Sequence, residues 1–468
     1  MKIKHQTPDI PKDNPFQNCK LKREQYAIVL TDIVKVYSDG FVLAVNNEWG
    51  AGKTTFVKMW QQSLINEEFD TLYFNAWEND FDSNPLVAIM SELNKLTNKD
   101  NKAIFKNVLE KGAILAKNVL PAALKAFLKR YMDTDEMLDA LENTTKGATE
   151  IFEEEIKEYT QKKESIIDFR TQLENFIDKT GNPRPIVFFI DELDRCRPHY
   201  AVEVLEQMKH FFSVPGITFV LSIDKTHLAA SVRGFYGSEQ INTDEYLRRF
   251  IDLEYNIPKP SCSEYVKYLY EYYSFDEFFA STERKTIRDL EYESLQFQKM
   301  ADFLFTSSKA TLRQQEKILG QTRLILKSFN EKAYTFSGLL LFLIFIKTLN
   351  NDLFKRIEDQ LFTLQELSDA FSDVMVDYKG GISGLNLVYI QALLLQFYNN
   401  NKEYETREKI FIDDGERFER VEITSKIEQY SYNSTLTSCL DDIRRHYAYS
   451  GTQLKYLLNR INLIQGIV

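Results

Sequence analysis

Two glycines, a lysine and a threonine at residues 50–54 form the clearest chemical motif in the sequence. Gly50 and Gly52 lack side chains, so the backbone can wrap around a phosphate group with its N–H groups pointing inward. Lys53 supplies a positive charge that can reach the β and γ phosphates of a nucleotide, and the Thr54 hydroxyl can bind Mg²⁺. The spacing therefore predicts a loop that binds nucleotide phosphates.

This loop stands where such a motif must stand, between a strand and a helix. Residues 41–45 (FVLAV) form a short apolar run typical of a buried parallel strand, and residues 54–65 have the pattern of a helix. The positive end of a helix dipole at the loop would favour an anion. The predicted nucleotide-binding residues are Asn47, Trp49, Gly50, Ala51, Gly52, Lys53, Thr54 and Thr55.

One position departs from the usual pattern G-x-x-x-x-G-K-[ST], because its first glycine is replaced by Asn47. Asparagine tolerates a left-handed backbone better than other residues with a side chain, so we expect the turn to persist. The departure leaves open whether the loop supports hydrolysis as well as binding.

A second motif begins at Asp191, directly after the apolar strand pattern at 186–190 (IVFFI). An acidic residue at a strand end beside a phosphate loop can hold Mg²⁺, so Asp191 and Thr54 are predicted to bind the metal together. Glu192 is predicted to be the general base that polarises the attacking water. Asp194 and Arg195 follow, and we expect them to form structural ion pairs.

Strand patterns alternate with helix patterns in the first half of the chain. Further strands are expected at 71–74 and 218–223, and helices at 84–96 and 200–212. Such alternation predicts an α/β fold, with a parallel sheet and helices on both of its faces. A charged helical insert is expected at about 98–180, projecting from the core.

The pattern changes after the segment Pro258-Lys259-Pro260, where long helical patterns rich in Tyr, Phe and Leu begin. We therefore predict two domains. Residues 1–260 would bind the nucleotide, and residues 261–468 would form a mostly helical domain that serves as a lid and as a partner or oligomerisation region. The apolar stretch at 336–346 is shorter than the roughly 20 residues that a membrane span requires, so a buried core helix is expected there.

Composition narrows the class of protein. The net charge of −11 argues against non-specific nucleic-acid binding by the whole body, although a local basic groove remains compatible with it. The four cysteines are far apart and form no C-x-x-C pair, so neither a zinc site nor a disulfide framework is indicated. The N-terminus lacks a hydrophobic signal region, and we predict a cytoplasmic protein without a membrane span.

Four blocks of sequence together carry a family resemblance: residues 48–54 with the tryptophan-bearing glycine-rich loop, 74–77 (F-N-A-W), 191–196, and 219–225 followed by 246–251. They resemble the KAP P-loop NTPases, which are related to the AAA+ and STAND ATPases, and the first and third blocks look like that family's Walker A and Walker B motifs. The Walker B block has Asp-Glu where the family usually has two aspartates. The resemblance covers about residues 10–260 and implies a protein that binds and hydrolyses ATP with Mg²⁺.

Many KAP proteins carry membrane-spanning helices between the two Walker motifs. This chain has the charged helical insert there, so it is similar to soluble members of the family. Family members are often bacterial, and several are associated with defence against phage.

The resemblance also suggests residues that would complete the site. Asp224 is the candidate sensor of the γ-phosphate, with a helix cap as the alternative role. Arg249 and its neighbour Arg248 are candidate arginine fingers that would act on a neighbouring subunit, with a surface ion pair as the alternative. Arg313 resembles the arginine of a second sensor on a helical lid.

Three functions are compatible with these features. The first is an ATP-driven switch or assembly ATPase that acts through an effector partner or a homo-oligomer, in a bacterial defence or stress complex. The second is a scaffold that binds the nucleotide without hydrolysing it, which is suggested by Asn47 in place of the first glycine of the motif. The third is a remodelling ATPase stimulated by nucleic acid, which the acidic balance disfavours.

Overall fold

The computed structural model describes most of the chain, and its contacts divide it into two compact units. Among the described residues, one unit extends from Pro8 to Lys259 and the other from Pro260 to Leu463. The described residues are 8–37, 40–81, 85–117, 164, 166–208, 214–308, 310–375, 386–413, 419–427, 435–446 and 451–463.

A five-stranded sheet forms the centre of the first unit. Its order is β2-β3-β4-β1-β5, and every neighbouring pair is parallel. This confirms the predicted parallel sheet and adds an edge strand, β5, that the sequence patterns did not reveal. The strands are β1 Phe41–Asn46, β2 Thr71–Asn75, β3 Ile186–Asp191, β4 Ile217–Ile223 and β5 Leu253–Asn256.

Helices cover both faces of this sheet, as predicted. Alternate residues of a strand point to opposite faces, so Leu43 and Val45 join one core with α1 and α2, whereas Val42 and Ala44 join a second core on the other face. The helices are α1 Glu24–Val36, α2 Lys53–Asn66, α3 Pro85–Leu93, α4 Lys102–Lys117, α5 at 166–178, α6 Pro198–Met208, α7 Lys225–Tyr236 and α8 Thr243–Leu247.

The expectation that the whole insert projects from the core is wrong for its two ends. Phe105 of α4 and Phe176 of α5 are buried in the second core, with ring centroids 4.9 Å apart. Both helices have an apolar stripe that must be covered, and the sheet face covers it. The middle of the insert, residues 118–163, lies outside the described residues.

The described residues of the second unit are mostly helical, with one short antiparallel pair of strands. The predicted core helix is confirmed, because α13 contains ten consecutive buried residues from Ser337 to Ile346. No helix among the described residues has both the length and the apolar character needed to cross a membrane. The elements are α9 Cys262–Tyr272, α10 Asp276–Phe279, α11 Glu293–Ser308, α12 Leu312–Leu326, α13 Ser337–Leu349, α14 Asn351–Glu358, α15 Leu364–Val374, α16 Leu387–Asn401, β6 Phe411–Asp413, β7 Glu419–Val421, α17 Leu436–Arg445 and α18 Lys455–Leu463.

Candidate functional site

The glycine-rich loop leaves the carboxyl end of β1 and opens α2. Its backbone is left-handed at Gly50 (φ 83°) and at Gly52 (φ 78°), a conformation that costs other residues free energy. Gly52 is the residue just before α2, so the loop ends at the N–H groups of the helix's first turn. These N–H groups have no partner within the helix and suit an anion.

Lys53 lies in a buried position among acidic side chains. Only 8% of it is exposed, and its Nζ donates hydrogen bonds to the carbonyl oxygens of Asn47 (2.6 Å) and Glu48 (3.2 Å). Burial lowers the pKa of the Lys53 ammonium below its ordinary value. The carboxylates of Asp194, Asp224 and Asp191 oppose this lowering of the pKa, in that order of strength.

Asn47 holds the start of the loop with its side chain. Its Nδ2 donates to the carbonyl oxygen of Ile257 (2.8 Å), and its Oδ1 accepts from the backbone N–H of Glu48 (2.8 Å). Asn47 is not one of the described residues with positive φ, so the loop starts here without the left-handed backbone that asparagine would tolerate. The asparagine is accommodated because its amide is used for hydrogen bonds, which glycine could not make.

Asp191 lies at the carboxyl end of β3 and is 1% exposed. Its Oδ2 accepts a hydrogen bond from the Tyr73 hydroxyl (2.8 Å), and its Oδ1 accepts from the N–H of Glu192 (2.9 Å). Burial, followed by the charge of Asp191, raises the pKa of the Tyr73 phenol, so the phenol remains a donor. In the sheet register Asp191 stands beside Ser222, whose buried Oγ has no hydrogen-bond partner among the described residues.

Glu192 adopts a left-handed backbone (φ 62°, ψ 24°), which is unusual for a residue with a side chain. Its Oε1 forms an ion pair with Arg195 (2.7 Å), and its Oε2 accepts from Asn75 Nδ2 (3.2 Å). The Arg195 guanidinium also lies 5.8 Å from the ring centroid of Trp77. Thus Arg195 pairs with Glu192, whereas the sequence pattern also allowed Asp194 as its partner.

Trp49 joins the phosphate loop to the turn after β3. Its Nε1 donates to Oδ2 of Asp194, and its ring stacks on His227, with centroids 3.7 Å apart and planes 20° apart. Burial raises the pKa of Asp194, although the Trp49 hydrogen bond and the Lys53 charge oppose this increase. No sequence pattern indicates this link, since only the spatial approach of the two turns reveals it.

Asp224 caps α7 and also contacts the loop. Its Oδ1 accepts from the N–H groups of Thr226 (3.1 Å) and His227 (3.3 Å), and its Oδ2 accepts from the N–H of Trp49 (3.1 Å). The His227 Nδ1 lies 2.9 Å from the same Oδ2. The alternative role of Asp224 as a helix cap is therefore present, and the sensor role stays a prediction.

The candidate arginines are all exposed. Arg248 lies 3.5 Å from Glu245, which is the surface ion pair expected as its alternative role, and Arg249 follows directly. Arg313 lies on α12 in the second unit. Their proposed roles toward a nucleotide stay predictions.

The side chains at this edge of the sheet fit a magnesium–nucleotide complex. Thr54 and Thr55 lie half-buried in the first turn of α2, and Asp191 lies close enough to Lys53 to affect its pKa. No group of three or more His, Cys, Asp or Glu side chains among the described residues could hold a metal by itself. Magnesium suits such a site, because it usually takes one or two carboxylates, with phosphate and water as its other ligands.

Comparison with protein families gives a match that covers most of the chain. Residues 23–378 match the KAP family P-loop domain. The resemblance was expected over about residues 10–260, whereas the match begins at residue 23 and continues past Lys259 into the second unit. The chain matches no curated protein.

Comparison with solved structures gives a distant likeness. The Aeropyrum pernix ORC2 protein, described in ADPNP–ADP complexes, matches over 95% of this chain and 94% of its own, at 12% identity and a TM-score of 0.33. At that TM-score the likeness supports no conclusion about fold or function.

Proposed function

Since the chain belongs to the KAP family of P-loop NTPases, we propose that it binds ATP with Mg²⁺, hydrolyses it, and acts as a nucleotide-driven switch or assembly ATPase. The observation that carries this proposal is the position of Lys53. Its ammonium lies against the carbonyls of the glycine-rich loop, within electrostatic reach of Asp191, Asp194 and Asp224. A phosphate-binding cation and metal-binding acid are thereby available at one sheet edge.

Each side chain has a role in this proposal. Lys53 and the loop N–H groups from Gly50 to Thr55 bind the phosphates. The Thr54 hydroxyl and the Asp191 carboxylate would hold Mg²⁺, which would neutralise negative charge that develops on the phosphates during hydrolysis. Glu192 accepts a proton from the attacking water.

Two further residues complete the proposed machinery. Asp224 orients the loop through the N–H of Trp49 and is the candidate sensor of the γ-phosphate. Arg249 is exposed, so it would act as a finger on a nucleotide bound by a neighbouring copy.

A steady-state phosphate-release assay tests this function. Lys53→Ala should abolish hydrolysis, because it removes the charge that binds the phosphates. Lys35→Ala is the matched control, since Lys35 is a surface lysine of α1 paired with Glu67 at 2.7 Å, and this variant should retain activity. Equal hydrolysis in the wild type and Lys53→Ala would reject the proposal.

A non-hydrolysing nucleotide-binding scaffold is the second candidate. It is favoured by the contacts of Glu192, whose two carboxylate oxygens are held by Arg195 and Asn75. A protein whose base is held in this way would bind ATP through the phosphate loop without activating water. Calorimetry with a slowly hydrolysed ATP analogue, beside a phosphate-release assay, separates the two, because the scaffold shows tight binding with negligible turnover.

The wider context is also a proposal. We expect the output to pass through an effector partner or a homo-oligomer in a bacterial anti-phage defence or stress complex, an expectation that rests on the family resemblance. Particle size measured by light scattering with and without ATP and Mg²⁺ tests the oligomer. A cytoplasmic location stays a prediction.

A further inference from the structure

Arg23 lies directly behind the phosphate loop and contacts its backbone. The guanidinium donates from Nη2 to the carbonyl oxygen of Ala51 (2.8 Å) and from Nη1 to that of Gly52 (3.1 Å). Only 4% of Arg23 is exposed. The planar fork of a guanidinium can hold two neighbouring carbonyls at fixed positions, which a single ammonium cannot do.

Holding these two carbonyls fixes the direction of the N–H groups that follow them. In a planar trans peptide unit the C=O and the N–H point to opposite sides. Because the carbonyls of Ala51 and Gly52 point toward Arg23, the N–H groups of Gly52 and Lys53 point away from it. These two N–H groups belong to the loop and to the first turn of α2, where a phosphate would be bound.

The guanidinium itself is carried by a firmly packed element. The Arg23 carbonyl accepts hydrogen bonds from the N–H groups of Tyr26 (3.0 Å) and Ala27 (3.3 Å), so Arg23 lies at the start of α1. That helix is packed against α2 through buried side chains, and Trp60 Nε1 of α2 donates to Thr31 Oγ1 of α1 at 2.9 Å. Packing thus fixes the distance between Arg23 and the loop.

Gly52 and Arg23 fit each other. A Cβ added at Gly52 would lie 3.0 Å from Arg23 Nη1, and the backbone there is left-handed (φ 78°). A side chain at position 52 would therefore be strained and would also press on the guanidinium. Glycine at position 52 therefore permits both the left-handed turn and the contact with Arg23.

We propose that Arg23 is a positioning residue for phosphate binding, which orients the N–H groups of Gly52 and Lys53 toward the β-phosphate of a nucleoside diphosphate or triphosphate. This inference rests on the proposed function of the loop. Orienting the donors before the ligand arrives lowers the ordering cost of binding, so the effect falls on affinity.

Equilibrium titration with ADP and with ATP, each with Mg²⁺, tests the inference. Arg23→Ala should weaken both affinities by about tenfold or more, the equivalent of losing one or two fixed donors. Turnover at saturating ATP should change little, because the donors act equally on the ground and transition states. Methylguanidinium added to Arg23→Ala should restore affinity, whereas methylammonium should not.

Thr31→Val is the matched control. It removes the Trp60 contact of the same helix without touching the loop, so it should lower the melting temperature and leave nucleotide affinity unchanged. If Arg23→Ala fails to fold, Arg23→Lys is tested in its place. Its nucleotide affinity should lie between that of the wild type and that expected for Arg23→Ala. Wild-type affinity in Arg23→Ala or Arg23→Lys would overturn the positioning role.

Hydrogen exchange without any nucleotide separates this inference from the proposed function. Amide exchange in the peptide that covers residues 47–55 should be faster in Arg23→Ala than in the wild type or in Thr31→Val. If the wild type binds no nucleotide, the proposed function fails, and the exchange comparison still decides whether Arg23 orders the loop. Equal exchange in all three proteins would reject the ordering.

Discussion

The indole Nε1 of Trp49 donates a hydrogen bond to the carboxylate of Asp194, which ties the phosphate loop to the turn that follows β3. Trp49→Phe keeps an aromatic ring to stack on His227 but removes this donor. A buried acceptor that loses its partner costs about 1–3 kcal/mol, so we expect the free energy of unfolding to fall by that amount. The three tryptophans of the sequence, Trp49, Trp60 and Trp77, all lie in the first unit, so fluorescence during urea unfolding reports on this unit.

Trp77→Phe is the control for the Trp49 variant. The Trp77 side chain is 53% exposed, and its loss should change the free energy of unfolding by no more than about 0.5 kcal/mol. Equal losses in the two variants would show that the bond from Trp49 to Asp194 is not what stabilises the loop.

Asn47→Gly restores the glycine of the usual motif, and we expect it to destabilise the first unit. Asn47 is not left-handed, so glycine relieves no strain. The variant loses the hydrogen bonds to Ile257 and from Glu48, each contributing about 1 kcal/mol, and gains chain entropy in the unfolded state. Urea unfolding of Asn47→Asp, which keeps the bond from Glu48 alone, should give an intermediate value. A more stable glycine variant would contradict the role given to the amide.

Asp224→Ala should lower both stability and nucleotide affinity. The helix cap accounts for about 0.5–2 kcal/mol, and the lost contact with the N–H of Trp49 loosens the loop. Because the loop binds phosphates common to ADP and ATP, we expect both affinities to fall by the same factor in calorimetric titrations. A loss confined to ATP would instead support the role of Asp224 as a sensor of the γ-phosphate.

Asn242→Ala is the matched control for this cap. Asn242 caps α8 through the N–H of Glu245 at 3.1 Å, and this capping bond does not involve the phosphate loop. Its loss should lower stability and leave affinity unchanged.

Asp194→Asn should change the pH dependence of stability. The pKa of Asp194 is raised in the fold, so its ionised form destabilises the folded state. The raised pKa contributes stability at acid pH that is lost as the pH rises through the folded-state value. The asparagine keeps an acceptor for Trp49 and has no charge, so the variant should be the more stable protein at about pH 8.

That advantage should shrink as the pH falls toward the ordinary titration range of aspartate. Urea unfolding at about pH 5 and about pH 8 measures it. Asp178→Asn, which changes an exposed carboxylate of α5, should show no such trend. A wild type that is more stable than Asp194→Asn at about pH 8 would contradict the prediction that ionised Asp194 destabilises the folded state.

Local patterns were sufficient to predict the central strands and the phosphate loop. Every residue of 186–190 and of 217–223 is buried, so the sequence of both strands is largely apolar. The left-handed backbone at positions 50 and 52 favours glycine, and the two glycines are visible in the sequence. Both features depend on neighbours in the sequence.

The strand β5 and the helix α1 were not predicted, because their sequences lack such patterns. β5 is a four-residue edge strand with only partial burial, so no apolar run marks it. The α1 stripe of Ala27, Leu30 and Val34 is obscured by exposed apolar residues such as Ile28 and Val36 on the outer side of the helix. These two elements are stabilised by burial, and burial depends on which other parts of the chain pack beside them.

The long-range contacts of the site could not be predicted for a different reason. Arg23 meets Ala51 across 28 positions, and Trp49 meets Asp194 across 145. Contacts like that between Trp49 and Asp194 arise because parallel strands bring their carboxyl ends to one edge of the sheet. The order β2-β3-β4-β1-β5 determines which turns become neighbours, and no single segment encodes it.

Single-turnover hydrolysis by Glu192→Gln tests the central claim most directly. The variant keeps the size of the side chain and removes the base, so it should bind ATP with Mg²⁺ at wild-type affinity while releasing phosphate at least about a hundredfold more slowly. The wild type, measured beside it, should bind ATP and release phosphate. Failure of the wild type to bind ATP, or equal phosphate release by the two proteins, would contradict the assignment of this sheet edge as an ATPase site.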